Sequence, residues 1–579
     1  MPQSMTMEPK IESRSASGRF DWRAFALIFL GAVLLGLPMF IYGPYPKGHD
    51  LYEHVTYTRY FSEQFWIGEI YPRWLIGMNH GLGSPSFFVF PPFQAYVYVA
   101  LQPLTGLLHL DTFAAEEFLM LLVSGICTFV WLRSEFGRLI GLFLALLYML
   151  APYHLEIDFY RRAAVGECWA LAWTPLLLYL TARIMAGKRA AVAWFGLTFA
   201  VMITCHLISV LMVSLLPIAA ALLLGEKGQR LRSLRAIVGG MVLGAGISSF
   251  YLLPALRHAK YFPAYKLVPP VSTYLISFAA LFGDFAVSPF THAVALCGAN
   301  AIVVCILCGA AVLARGTAVS KKRVLFWLAA AAFPAFMMLS ISVPVWGVAR
   351  RLLWSIQYPF RLNVVLCLAE IAMLATLLAD ARWKSRASAG FRVGLLALVC
   401  IPWFLSYAEI WKLYRAEPNP REEFAHHDWG RFPDDGWFHA WTASGLDADS
   451  AMRASAGPRA RFTSGTGEAT VLEWTPRHIE VETNSAAGGR VMVTQFYYPF
   501  WRASLVPLGA EVTAEASAGE GFLSALVPAG PTRIRFDLRD GRAEQAGPAI
   551  SFASILVFGV QLWRGRVAKR PKPPSGETV

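Results

Sequence analysis

Long apolar runs alternate with short basic connectors along most of this chain, and near the C-terminal end the pattern changes from continuous to alternating. Runs suited to cross a hydrocarbon core of about 30 Å lie near residues 23–42, 114–132, 138–154, 168–185, 190–206, 208–224, 235–254, 294–315, 324–342, 363–381, 393–411 and 547–563. They predict an α-helical polytopic membrane protein of about twelve transmembrane helices. Between 412 and 546 the hydropathy drops, and RHIEVET, RVMVTQF, GFLSALV and TRIRFDL alternate apolar with polar positions between Gly, Pro and Ser clusters. That period of two predicts strands in which Ile534, Phe536 and Leu538 face a core while Arg533, Arg535 and Arg539 face water, so a β-sandwich-like domain is expected. Residues 415–460, rich in Pro, Gly, Asp and His, predict loop and short helix. The expected organisation is a tail (1–22), a transmembrane domain (23–411) with a large first loop (43–113), a mostly-β domain (412–546), and a last anchoring helix with a basic tail (547–579). No internal repeat of fixed period is visible.

One apolar stretch, residues 88–107, is expected not to cross. If it crossed, with the N-terminus inside, every later basic connector would fall outside the cell, including Lys188/Arg189, the Lys227–Arg235 cluster, Lys321/Lys322/Arg323, Arg382/Lys384/Arg386 and the C-terminal tail. Laid in the interface, it puts all of them inside, as the positive-inside bias favours. Pro91, Pro92 and Pro103 also oppose a continuous lipid-exposed helix. Both termini are then cytoplasmic, and the first loop, the 155–167 loop, the 255–293 loop with its interfacial YLISFAALF, the 343–362 loop and the β domain lie outside. The first apolar run follows Lys10, Arg14, Arg19 and Arg23 without a small-residue cleavage site, so it reads as a retained anchor.

Composition narrows the class. At 56% hydrophobic and 14% aromatic residues over 579 positions, the chain is too apolar for a soluble protein of this size. A net charge of +13 would suggest nucleic acid in a soluble protein. Here the cations sit in short connectors between apolar runs, so they set topology and meet anionic headgroups, and no nucleic-acid partner is expected. All eight cysteines lie in or at the edge of apolar runs, so neither a disulfide framework nor a cysteine metal site is expected in the soluble part.

Candidate chemistry gathers in the outer loops. Asp50 and His54, four apart at the start of the first loop, share one helix face and present a carboxylate and an imidazole. Asp50 with Glu53 three residues on also reads as a capping box, a purely structural role. In the second loop Arg161 and Arg162 precede Glu167, which stands at the mouth of the next span. Paired guanidinium groups suit a phosphate, and they suit lipid headgroups equally. His206, in TCHLISVLM, is an ionisable residue at the end of an apolar run, either a site residue or a packing histidine. Arg350, Arg351 and Arg361, flanked by Trp and Tyr, lie outside against the charge trend, which calls for an anionic partner or an interfacial anchor. His426, His427 and Asp428 form an isolated set of possible metal ligands. No phosphate-binding glycine loop, dinucleotide fingerprint or Ser/His/Asp arrangement is present.

The run of motifs over residues 48–363 resembles one family. Asp50 and His54, GEIYPRW with Arg73, the Gly81–Pro85 run, FPPF, RRAAVGE, CHLIS, SFYLLPAL and IQYPFR follow in the order of the bacterial membrane proteins named 6-pyruvoyl-tetrahydropterin synthase related. The name suggests pterin chemistry, but no soluble pterin-synthase domain or zinc-binding histidine set accompanies the motifs. The architecture is similar to the glycosyltransferase-C superfamily, polytopic enzymes that use polyprenyl-phosphate-linked sugars. That resemblance implies transfer of a sugar from a polyprenyl-phosphate carrier to an envelope glycan, lipid or protein, on the outer face of the bacterial inner membrane. It implies Asp50 as the acidic residue of the first loop; beside it His54 and Glu167 are expected to assist, and Arg73, Arg162, His206, Arg350 and Arg361 are expected to bind substrate. Some members depend on a divalent metal ion. The chain lacks a clear paired-acid motif in the first loop, and Glu156, Asp158 and Glu167 are three candidates for one second-loop acid, so the metal stays open. A non-enzymatic transporter or flippase, or an assembly protein for envelope glycans, is the alternative.

Overall fold

The computed structural model describes residues 21–108, 110–262, 275–276, 288–348, 353, 356–381, 385, 388–417, 419–425, 442, 444–446 and 448–567. The helical part begins with α1 (Trp22–Tyr42), whose first turn is capped by the Asp21 carboxylate accepting from Ala24 N at 3.2 Å. The loop that follows holds α2 (Leu51–Trp66) and α3 (Phe93–Leu108). Next come α4 (Thr112–Phe136), capped by Asp111, and α5 (Arg138–Leu150), which runs on into a π-helical segment, Tyr153–Arg162. After it the chain forms α6 (Val165–Met185), α7 (Ala190–Cys205), α8 (Leu207–Val213), α9 (Leu215–Leu223), α10 (Arg230–Ile247) and α11 (Ser249–His258). The remaining bundle helices are α12 (Pro289–Arg315), α13 (Ala318–Met338), α14 (Asn363–Ala379) and α15 (Ala389–Ala416).

Among the described residues, 8 helices are long and apolar enough to cross a membrane, or up to 9 if Arg230–Ile247 and Ser249–Tyr261, bent by 78°, make one span. This is fewer than the twelve expected, and each shortfall has a local cause. The 190–206 run forms a helix of 16 residues, about 24 Å long. His206 then turns extended (φ −164°), and the 208–224 run breaks into pieces of 7 and 9 residues. In α13, Lys321, Lys322 and Arg323 occupy the first turns and shorten the apolar length.

The 88–107 segment forms the short turn Ser86–Val89 and then α3, 16 residues with Pro103 inside, which is not among the helices long and apolar enough to cross. It packs on α2 through an aromatic layer: Tyr57 lies 4.5 Å from Phe90, Phe61 4.6 Å from Phe87 and 5.2 Å from Tyr96, centroid to centroid. Gln102 ties the far ends together, accepting from Ser62 Oγ at 2.6 Å and Trp66 Nε1 at 2.7 Å. Most of YLISFAALF lies outside the described residues; its Ile276 bridges to Leu339.

Strands β1 (Ala460–Ser464), β2 (Glu468–Thr475), β3 (His478–Ser485), β4 (Gly489–Phe496), β5 (Trp501–Val506), β6 (Glu511–Val512), β7 (Glu515–Ala516), β8 (Phe522–Val527) and β9 (Gly530–Leu538) build two antiparallel sheets, ordered β1-β4-β8-β7 and β2-β3-β9-β5-β6. The expected alternation holds in β9 (Gly530–Leu538). Ile534 and Phe536 are fully buried, Arg533 and Arg535 reach across to Glu482 and Glu480 on β3 (His478–Ser485), and Arg539 pairs with Glu511. This core is not the module's own. Trp74, Leu82 and Phe88 of the first loop are buried in it beside Tyr498 and Trp501, and Phe496 N donates to Leu82 O at 2.7 Å. His258 of α11 bridges Tyr498 Oη (2.5 Å) and Glu544 (2.9 Å) of the last helix, α16 (Arg542–Val567).

Candidate active site

Residue 50 opens α2, yet its carboxylate makes no capping hydrogen bond. The capping-box reading therefore fails, because the helix start is held by backbone instead. His49 N donates to Arg161 O at 3.1 Å and Asp50 N to Arg162 O at 2.8 Å, clamping the first loop onto the end of the π-helical segment. The freed Asp50 carboxylate lies 3.7 Å from Arg162 Nη2 and remains about one-third exposed. One helical turn on, His54 lines the same cavity, about 310 Å³ in volume. Burial pushes the His54 imidazole below its ordinary range, opposed by the Asp50 charge and the Gln94 amide.

The basic side of the cavity is a connected cluster. Arg162 Nη1 donates to Asp158 at 2.5 Å and to Glu167 Oε2 at 2.9 Å. Arg361 Nε lies 3.1 Å from the same Glu167 oxygen, and Tyr153 Oη donates to Glu167 Oε1 at 3.3 Å. Glu167 is thus a buried bridge between two guanidinium groups brought together from distant parts of the chain. Each guanidinium also sits over a ring, Arg162 over Phe360 at 5.3 Å and Arg361 over Tyr358 at 5.0 Å, so both are fixed in direction. Arg361 Nη1 is spent on Ile356 O and Gln357 Oε1 (3.2 and 2.7 Å), which leaves its Nη2 without a hydrogen bond to any described residue. The lining also includes the apolar and aromatic side chains Phe87, Val89, Phe90, Ile208 and Tyr251.

Asp50, His54, Arg162, Glu167, His206 and Arg361 therefore line one cavity. His206 has two duties there: it lines the wall, and its Nδ1 caps α8, accepting from Ser209 N at 3.3 Å. Arg73 is not part of the lining. It donates to Phe250 O at 3.3 Å, lies over Tyr71 at 4.5 Å and stands 3.8 Å from Asp540, a joint between the first loop, α11 and the end of the β module. The GEIYPRW motif docks the first loop, with Tyr71 under the Arg73 guanidinium and Trp74 buried in the core of the β module. Arg350 lies outside the described residues, as do His426, His427 and Asp428. Asp158, one of the three candidates for the second-loop acid, holds Arg162. Two residues beyond the sequence candidates join the site: Gln94 is the polar break in an apolar segment, and Gln357, at φ +64°, gives no sequence signal because only the folded loop puts it against Arg361. Among the described residues no group of three or more His, Cys, Asp or Glu is placed to hold a metal ion, and Asp158 and Glu167 are engaged by arginine.

By sequence, residues 87–401 match the 6-pyruvoyl-tetrahydropterin synthase related domain, described as a membrane protein. No curated protein matches. Among solved structures, the chain is similar to the arabinofuranosyltransferase AftD from Mycobacteria, with a TM-score of 0.41 and 13% identity over 69% of this chain and 27% of that one. It is also similar to an Archaeoglobus fulgidus oligosaccharyltransferase tethered with an acceptor peptide, with a TM-score of 0.37 and 12% identity over 67% of this chain and 55% of the other.

Proposed function

The chain belongs to the 6-pyruvoyl-tetrahydropterin synthase related family of membrane proteins, and from that premise we propose that it is a glycosyltransferase that moves a sugar from a polyprenyl-phosphate carrier to an acceptor of the cell envelope. The observation that carries this reading is the Asp50 carboxylate, released from capping and held 3.7 Å from Arg162 in a cavity lined by both arginines and apolar side chains. A carboxylate and a neutral imidazole on one helix face suit the deprotonation of a hydroxyl. Arginine nitrogens beyond those committed to Glu167 suit the phosphate that departs.

In the proposed step the acceptor oxygen attacks the anomeric carbon and its proton passes to Asp50, with His54 beside it. The bond between that carbon and the carrier phosphate oxygen breaks, and the electron pair leaves on the phosphate facing Arg162 Nη2 and Arg361 Nη2. Asp158, Glu167 and Tyr153 hold the arginines; Phe87, Val89, Phe90 and Tyr251 take the apolar part of the carrier. The cavity and the β module face the outside of the inner membrane in this reading, as the basic connectors require. The test is mass-resolved transfer by the reconstituted chain from defined polyprenyl-phosphate sugars to extracted envelope glycan, lipid and protein. A glycosylated product and released polyprenyl phosphate are expected. Carrier moved across the vesicle with its sugar bond intact would instead mark a transporter.

A further inference from the structure

At the opposite end of the α6–α7 pair lies a second cavity with a different character. Its volume is about 710 Å³, and it runs between Leu176, Tyr179, Leu180 and Arg183 of α6, the Lys188–Arg189 connector, and Trp194 and Thr198 of α7. Glu167 and Arg183 are sixteen residues apart on one helix, so this groove lies about 24 Å from the candidate active site. Lys188 N donates to Arg183 O at 3.0 Å, a tight turn that sets the cations side by side. None of Arg183, Lys188 or Arg189 forms a salt bridge with a described residue. Uncompensated cations around one concave mouth favour an anion.

The shape of the groove says which anion. From the basic mouth it extends along two turns of α6, from Arg183 to Leu176, over apolar side chains. Trp194, half exposed, forms part of the wall and is braced edge-on by Phe558 of α16 at 5.7 Å. A free phosphate would use only the mouth. We propose that this groove is a binding site for an anionic phospholipid, with the phosphodiester headgroup at Arg183, Lys188 and Arg189 and an acyl chain along Leu176, Leu180 and Trp194. Basic pockets between helices at a membrane surface recognise anionic headgroups by this combination, and an aromatic ring such as Trp194 suits the boundary between headgroup and chain.

The test uses the purified full chain in nanodiscs of mixed phosphatidylglycerol and phosphatidylcholine, with retained lipid counted by native mass spectrometry after mild detergent extraction. The wild-type chain retains phosphatidylglycerol over phosphatidylcholine. The Arg183→Ala, Lys188→Ala, Arg189→Ala triple variant loses that retention by about tenfold or more, since each surface cation contributes comparably. Removing positive charge can alter topology, so Trp194→Ala supplies a second arm that leaves every charge in place. It lowers retention by about two- to threefold through lost wall contact. Lys321→Ala with Lys322→Ala, at a separate connector, leaves retention unchanged. Inorganic phosphate and glycerol phosphate at millimolar concentration do not displace the lipid. Undiminished retention in the triple variant overturns the proposal, as does equal loss in the Lys321/Lys322 control, and displacement by inorganic phosphate reassigns the site to a soluble anion.

Discussion

At the scale of single residues, the carboxylate at position 50 separates a structural from a chemical role. An Asp that capped α2 could be replaced by Asn, since both side chains accept from first-turn amides. Because Asp50 makes no such bond, Asp50→Asn is expected to leave thermal stability within about 0.5 kcal/mol and to cut transfer by about 100-fold or more. Activity near that of wild type in a correctly folded Asn variant would remove Asp50 from the chemistry. For His54, burial lowers the imidazole below its ordinary value of 6.5. The neutral, proton-accepting form then persists to more acidic pH, and activity falls only as pH drops through the depressed value. The acid limb of kcat/KM against pH should lie below 6.5 and change position in His54→Gln, with the limb of Asp50 itself remaining; a limb above 6.5 would contradict the assignment. The arginines divide by their partners. Arg361→Lys leaves Glu167 still paired to Arg162, so the fold survives while transfer drops by about 100-fold, through loss of a directed donor. Wild-type rates in that variant would mean that position 361 supplies charge alone.

At the scale of elements, the first loop is a folded layer rather than a connector. Its aromatic contacts and the two hydrogen bonds to Gln102 make α2 and α3 a single unit that forms one wall of the cavity. If α3 lies along the interface, positions before and after it share one side of the membrane. Ser86 is too buried to report this, but Ile70 and Leu110 are 75% and 57% exposed. Single cysteines at Ile70 and Leu110 should both react with a membrane-impermeant thiol reagent added from outside intact cells. Labelling from opposite sides would require α3 to cross and would reverse every later connector.

At the scale of the whole molecule, the β module and the first loop share one core, so the sheet packing reaches the cavity wall through the chain from Trp74 to Pro91. Gly83 sits at the closest approach, at φ +84°, and an added Cβ there would collide with the side chains of Gln495 and Trp74. Gly83→Ala therefore meets both a crowded site and an unfavourable backbone region. It should cost about 1–3 kcal/mol, read as a lowered Tm and as easier proteolytic release of the β module. An unchanged Tm would show that the two parts are not rigidly docked.

Elements whose signal is local are legible in the residues alone, and topology at 88–107 is an expectation drawn from them. Apolar run length marked the long spans, the period of two placed Ile534, Phe536 and Leu538 inward, and Pro91, Pro92 and Pro103 with the basic connectors argued against a crossing at 88–107. The i, i+4 spacing set Asp50 and His54 on one face because helical geometry is local. Hydropathy cannot see His206 turning the chain extended, or the 78° bend at Ser248, so apolar run length does not mark which of those runs form long continuous helices among the described residues. The bridge of Glu167 between Arg162 and Arg361, the hold of Gln357 on Arg361 and the turn of Arg73 to the β-module joint appear only once the chain is folded. Those outcomes depend on which helix ends meet across the bundle, and that is set by side-chain packing among residues far apart in the chain, which no short-range period encodes.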